Sequence, residues 1–287
     1  MLGPSCKRKL TLEAFKVTHD RPVAFIASQW QYDKSTANIK YCIYRVSTCI
    51  LFFVAWIFTY LKEPAAGKPR WPIYLTNWGF TLCMLQSFLN SIMIVVTLIA
   101  ERSAGKSQWK EKILKLYPTY WVINVMATPV AFTISIIYWT LIFGAEGASF
   151  TPMNFIVHGL NSIIMLLDVC IVSYPVKVFH FIYPLFLAFY YTIFTVSFYY
   201  AGGTTKTGSR YIYPILKWDQ PGQTMGVCAG VMVLMIILHI VTFLVYKLRI
   251  KIHNRFFLPK IDPPLPEKDQ NAGQHAYANK AMANEYV

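Results

Sequence analysis

Gly222-Gln-Thr-Met-Gly-Val-Cys-Ala-Gly-Val-Met-Val-Leu-Met-Ile-Ile-Leu-His-Ile-Val-Thr-Phe-Leu-Val-Tyr-Lys247 is a run of 26 residues whose only charge is its last one. A helix of about 20 apolar residues crosses the roughly 30 Å hydrocarbon core of a bilayer. An amphipathic helix of a soluble protein would show a polar face at a period of 3.6 residues, and this run has none. It reads as a membrane-spanning helix. Working back along the chain, five more runs qualify: Ile39–Leu61, Ile73–Ala100, Pro118–Phe143, Met153–Ser173 and Val178–Tyr200. The fold class expected is therefore all-α, a polytopic bundle of six transmembrane helices.

Composition agrees. Hydrophobic residues make up 55% of the 287 and charged residues 14%, against about 25% charged in ordinary soluble domains. A disordered chain and a water-soluble enzyme are both disfavoured. Six cysteines without framework spacing do not describe a disulfide-stapled module. The net charge of +14 is placed beside the apolar runs rather than on a patch with a nucleic-acid motif, so nucleic acid is not an expected partner.

The chain divides into three regions: a basic N-terminal segment (1–38), the six-helix domain (39–248) and a Pro-, Asn- and Lys-rich tail (249–287) read as largely disordered. No apolar stretch lies near Met1, so no cleaved signal peptide is expected. Lys and Arg outside the helices divide 19 to 6 between the two faces, with the N-terminal segment, the loop after the second helix and the C-terminal segment on the richer side. Because cytoplasmic loops collect Lys and Arg, both termini are expected in the cytoplasm. Gly203-Thr-Thr-Lys-Thr-Gly208-Ser-Arg210 approaches a phosphate-binding loop but lacks its Lys-Ser/Thr ending, and reads as a turn. Cys6 beside Lys7-Arg8-Lys9 is open to palmitoylation, against the plainer reading of an unmodified cysteine. Glu285-Tyr-Val287 is a possible docking end for a cytoplasmic partner.

Soluble-enzyme signatures are missing: no G-x-S-x-G, H-E-x-x-H, C-x-x-C or G-x-G-x-x-G occurs in a suitable context. Chemistry must come from polar residues inside the hydrocarbon region, which cost free energy there and raise a functional question. His158, Asn161, Met165 and Asp168 follow i, i+3, i+7, i+10, one face of a regular helix. Thr76, Cys83, Ser87 and Asn90 form a comparable stripe. Counted from the outer ends of their helices, Thr76 lies about 5 Å deep and His158 about 7–8 Å deep at 1.5 Å per residue. A hydroxyl and an imidazole at matched depth are a candidate nucleophile and base. Against this, a membrane Thr commonly bonds its own helix and a lone His commonly links two helices. On the opposite side, Arg45 and Asp168 have matching depths of roughly 8–9 Å. They are expected to form an intramembrane ion pair, with Asn90 and His239 as candidate neighbours.

Arg70-Trp-Pro-Ile-Tyr-Leu-Thr76-Asn-Trp78, followed by His158-Gly-Leu-Asn161 within six apolar runs and basic ends, resembles the Rolling stone family. That is a group of multipass membrane proteins associated with myoblast fusion. The resemblance covers about residues 40–250. A remoter likeness reaches the androgen-induced and androgen-dependent intramembrane threonine hydrolases, which cleave fatty acid esters of hydroxy fatty acids. Their Trp-x-x-x-Leu-Thr pattern falls on Trp71–Thr76 here, and their distant intramembrane His on His158. Asn77-Trp78-Gly79 after the Thr and Asp168 at the end of the stripe depart from that pattern.

The resemblance implies a lipid ester hydrolase with Thr76 as nucleophile and His158 as base. Asn77, Trp78 and Asn161 are candidates to bond the oxyanion, and no metal or organic cofactor is required. Membrane lipids or a lipid ester would be the partners. The alternative is a non-catalytic membrane protein of cell–cell fusion or adhesion. A plasma-membrane location is favoured over the endoplasmic reticulum.

Overall fold

Among the described residues of the computed structural model, six helices are long and apolar enough to span a bilayer. They are α1 (Ile39–Leu61), α2 (Leu75–Arg102), α4 (Tyr117–Ile142), α5 (Pro152–Ile171), α6 (Val178–Tyr200) and α7 (Pro221–Phe256). A short helix, α3 (Ser107–Leu114), fills the loop before α4. The structure describes residues 14–103, 107–143 and 150–257, and no strand occurs among them. Cys6, the Asp262–Glu267 proline stretch and Glu285–Val287 lie outside the described residues. By internal contacts the chain divides into residues 1–251 and 252–287, and the bundle belongs to the first unit.

Local signals explain where the helices start. Asn38 caps α1, its side chain accepting from the Lys40 N–H at 2.8 Å. Thr151 caps α5 by accepting from the Asn154 N–H, and Pro152 supplies the fixed φ that a first turn favours. Beyond the ends, packing decides. α2 and α4 are the most buried spans and form the centre, with α1 beside α2. Gly79 sets the α2–α4 distance, because a Cβ there would stand 2.4 Å from Ile134 Cδ1 and 2.9 Å from Val130 Cγ1.

We call the end where Ile39 begins α1 the near end, and the end where α2 begins the far end. At the near end the N-terminal segment is not merely a charged lead-in. A 3₁₀ turn over Pro22–Ile26 inserts Phe25 and Ile26, which have no exposure, into the bundle. Phe25 packs on Tyr117, Trp121 and Tyr174 at centroid distances of 4.8, 5.0 and 4.7 Å. Burial of such a ring contributes roughly 1.5–3 kcal/mol. The strap is tied at both sides. Gln29 N–H donates to Ile171 O at 2.8 Å, Ser173 N–H to Ala27 O at 3.1 Å, and Asn90 Nδ2 to Phe25 O at 2.7 Å. Lys177 Nζ donates to Lys16 O at 2.8 Å.

His19 belongs to this strap, edge-on to Phe25 and Trp121. Burial holds its pKa below the usual histidine value, so the folded strap prefers the neutral ring. The unfolded strap therefore binds more protons, and its docking weakens as pH falls below about 6.5. Amide protection over residues 15–28, with exchange corrected for its intrinsic pH dependence, is expected to fall between pH 7 and pH 5.5 in the wild type. His19→Gln is expected to flatten that change, and a pH profile identical in both proteins would refute the assignment.

Candidate functional site

A cavity of about 900 Å³ opens among the far-end halves of α2, α4, α5, α6 and α7, and Thr76, Asn77 and His158 all line it. Its geometry begins with the Arg70–Trp78 stretch. Lys68–Ile73 forms a 3₁₀ turn, and α2 starts two residues later. Two side chains tie the turn to the helix. Asn77 Nδ2 donates to Trp71 O at 2.6 Å, and Trp78 Nε1 donates to Pro72 O at 2.5 Å. Thr76 consequently sits in the first turn of a 28-residue helix, where backbone N–H groups have no intrahelical acceptor.

Tyrosine hydroxyls occupy those donors. Leu75 N–H donates to Tyr191 Oη at 3.1 Å, and Tyr191 in turn donates to Ile73 O at 2.8 Å. Thr76 N–H reaches Tyr213 Oη at 3.5 Å, and the Thr76 side chain is also a hydrogen-bond partner of Tyr213. Thr48, Thr81, Thr97, Thr128 and Thr242 all donate to a carbonyl four residues back. Thr76 does not follow that habit. Burial raises the Tyr213 phenol above the usual tyrosine range, so it stays a neutral hydroxyl at physiological pH.

His158 reaches the same cavity through an irregularity. Tyr138–Ile142 of α4 and Ile156–Leu160 of α5 are π turns, a feature frequent at functional sites because it re-aims side chains. They face each other, and the His158 and Tyr138 rings stack with centroids 3.5 Å apart and planes 6° from parallel. His158 O accepts from Trp139 Nε1 at 3.0 Å, while His158 Nδ1 is buried with no hydrogen-bond partner. No hydrogen bond joins Thr76 to His158 among the described residues; they share a cavity without touching.

The π turn also corrects the stripe expected from the sequence. An extra residue in the turn rotates the rest of the helix, so Asn161 does not share the cavity with His158. Its Oδ1 accepts from the Ser162 N–H at 2.7 Å, and it is buried in the bundle. Trp78 does not line the cavity either; it packs against Tyr191 and Phe194. Asn77 lines it, but with its amide donating to Trp71 O. Tyr213, absent from the residues that the sequence singles out, has a hydroxyl beside Thr76. Its one sequence signal is an apolar run, Tyr211–Leu216, inside an otherwise polar loop.

That loop folds over the far end. Arg70 Nε donates to Thr204 O at 2.8 Å, Lys206 pairs with Glu63 at 3.0 Å, and Thr224 Oγ1 donates to Lys217 O at 2.6 Å. Gly202 and Gly208 turn it at φ of 74° and 79°, where side chains are strained. The Gly203–Arg210 stretch is a turn that helps to wall the cavity.

Toward the near end lies a second polar cluster. Arg45 Nη1 stands 2.6 Å from Asp168 Oδ1, with both residues buried. Tyr41 Oη accepts from Arg45 Nε at 2.8 Å, Tyr44 Oη donates to Asp168 Oδ1 at 3.0 Å, and Asn124 Nδ2 reaches Oδ2 at 3.4 Å. Asn90 and His239 are placed elsewhere, on Phe25 O and Lys177 O. Arg249 is a further buried cation, although its sequence context is only a basic C-terminal cluster. It donates to Val169 O at 2.6 Å, among the last carbonyls of α5, and to Tyr174 O at 2.8 Å. A cation there complements the helix C-terminus. Among the described residues no group of His, Cys, Asp and Glu is arranged to hold a metal.

Six apolar spans around buried polar clusters define an integral multi-pass membrane protein. The chain belongs to the Rolling stone family: the family model for Protein rolling stone matches residues 2–263. It is 30% identical over 262 residues to Protein rolling stone of Drosophila melanogaster, covering 88% of this chain and 92% of that relative. No solved structure matches it.

Proposed function

We propose that this protein is an intramembrane lipid ester hydrolase, of the type acting on fatty acid esters of hydroxy fatty acids, with Thr76 as nucleophile and His158 as base. The observation that carries the reading is their convergence on one 900 Å³ cavity. Thr76 is not bonded back to its own helix, and His158 keeps a ring nitrogen without a partner. In the reaction Thr76 Oγ attacks the ester carbonyl while its proton passes to His158, and the tetrahedral oxyanion forms. Collapse breaks the ester C–O bond, and His158 returns the proton to the departing alkoxide. Water then attacks the acyl-threonine, giving its proton to His158, and Thr76 leaves with that proton as the free fatty acid is released. The Thr76-to-His158 transfer runs through an intervening water or through closure around the substrate, since catalytic hydrogen bonds often tighten only in the complex. Tyr213 Oη beside Thr76 and the N-terminal dipole of α2 favour the oxyanion.

A fluorophosphonate probe on purified protein is the direct test. Labelling of the wild type, absent in Thr76→Ala, supports the reading; equal labelling of both overturns it. A second reading, non-catalytic action in cell–cell fusion or adhesion, is favoured by membership of the Rolling stone family. It predicts that Thr76→Ala supports fusion as well as the wild type does.

The orientation belongs to the same proposal. Both termini face the cytoplasm in the plasma membrane, the cavity opens toward the outer leaflet, and the tail offers its end to a cytoplasmic partner. The 19 to 6 division of Lys and Arg supports this. Tags before Met1 and after Val287 are expected to be unreachable in intact cells, and a tag at Thr207 reachable. Staining of either terminus without permeabilisation overturns the orientation.

A further inference from the structure

The cavity is graded along its length. Its walls on α4 run from Ile142 down to Thr133, and on α7 from Val227 down to Met235. At 1.5 Å per residue these are descents of about 13 and 12 Å. The floor, formed by Ile134, Ala188 and Met235, is largely apolar, with the buried hydroxyl of Thr133 among them. The mouth is cationic. Lys62, Lys206 and Lys217 line it with a single carboxylate, Glu63. Glu63 is engaged by Lys206 at 3.0 Å, and neither Lys62 nor Lys217 has an ion-pair partner among the described residues. Thr76, on the first turn of α2, lies between these two zones.

An occupant must match three conditions at once. Its buried part is largely apolar and close in length to one leaflet, about 15 Å of hydrocarbon. Its exposed end is anionic, to meet two uncompensated ammonium groups. Its size must suit a cavity at the upper end of the roughly 300–1,000 Å³ typical of single-ligand sites. We propose that the cavity is an acyl-chain slot for a single-chain anionic lipid. The chain lies against Val231 and ends at Ala188 and Met235, while a carboxylate at the other end is held by Lys62 and Lys217. The slot then measures chain length, and the lysine pair selects charged over neutral esters. This rests on the hydrolase reading for the chemistry at Thr76, but binding is measurable without turnover.

The test uses the full chain in detergent, with the Thr76→Ala variant run in parallel so that no ligand is consumed. The fluorescent C18 carboxylate cis-parinaric acid is the probe, displaced by saturated fatty acids of 8 to 18 carbons and by their methyl esters. Saturable binding is expected, with affinity rising about fourfold per methylene and levelling once the chain meets the floor. Methyl esters are expected at least tenfold weaker. Val231→Phe, one helical turn above the floor, should move the levelling point several carbons shorter. Ala188→Leu should move it the same way if Val231→Phe does not fold. Lys62→Gln with Lys217→Gln should erase the preference for carboxylate over methyl ester and leave the chain-length profile in place. Non-saturable binding overturns the proposal. So does a profile that climbs without levelling, or one unchanged in both slot-filling variants. A preference for carboxylate that survives the double lysine variant overturns the head-group assignment. These outcomes are independent of hydrolysis: saturable, length-limited binding with no labelling at Thr76 would keep the slot and discard the enzyme.

Discussion

Thr76→Ala and His158→Ala are each expected to lower turnover of a branched fatty acid ester at least a hundredfold, with folded protein near wild-type levels. The size comes from the roles. Removing a nucleophile eliminates the acyl-enzyme route, and positioned general acid–base catalysis typically contributes a factor of roughly 10²–10⁴. The double variant is expected to be no worse than either single one, because residues acting as a unit are not additive. Each substitution should also be gentle on the fold. Thr76 is in the first helical turn, where its side chain satisfies Tyr213 rather than the core of the bundle. His158 packs on Tyr138 and leaves Nδ1 without a protein partner. Single variants that both keep more than about a tenth of wild-type turnover, a loss under about 1.4 kcal/mol, would end the nucleophile–base assignment.

The spans are legible in the sequence because they depend on a local quantity, apolar length against bilayer thickness. Ile39–Leu61 and Val178–Tyr200 have the same bounds in sequence and structure, and the others differ by a few residues except at the last C-terminus. There the helix continues to Phe256, because Lys247, Arg249 and Lys251 end the hydropathy signal without ending the helix. Depth also carries over well. Counting residues from helix ends puts Arg45 level with Asp168, and the structure joins them at 2.6 Å.

Azimuth is harder to read. The stripe through His158 and Asn161 assumes 3.6 residues per turn, and the π turn over Ile156–Leu160 breaks that phase between them. No residue type in Ile-Val-His-Gly-Leu announces a π turn, which lies where the Tyr138 and His158 rings stack across two helices. Loops are harder still. Phe25 and Tyr213 are positioned by long-range contacts on segments with no periodicity to report a facing side. The strap and the cavity roof are therefore visible only once the bundle is assembled.

The Arg45–Asp168 cluster carries the largest expected effect on stability. Arg45 is 1% exposed and Asp168 3%, and three tyrosines and Asn124 complete their hydrogen bonds: Tyr41, Tyr44 and Tyr120. Removing one member strands the other, and a lone buried charge from a broken pair costs roughly 3–5 kcal/mol. Asp168→Ala and Arg45→Ala are thus each expected to lower thermal stability in detergent by that order. Asp168→Asn should cost less than Asp168→Ala, since an amide oxygen still accepts from Tyr44 and Arg45. Deleting both charges leaves a set of neutral hydroxyls able to bond one another, as Tyr120 and Tyr174 already do at 2.7 Å. The double variant Arg45→Ala with Asp168→Ala should therefore recover part of either single loss, by a coupling of about 1 kcal/mol or more within the roughly 0.5–3 kcal/mol seen for residues in contact. Thermal unfolding of the four proteins in one detergent closes the cycle. Strictly additive losses would show that the two charges do not depend on each other, whatever their distance.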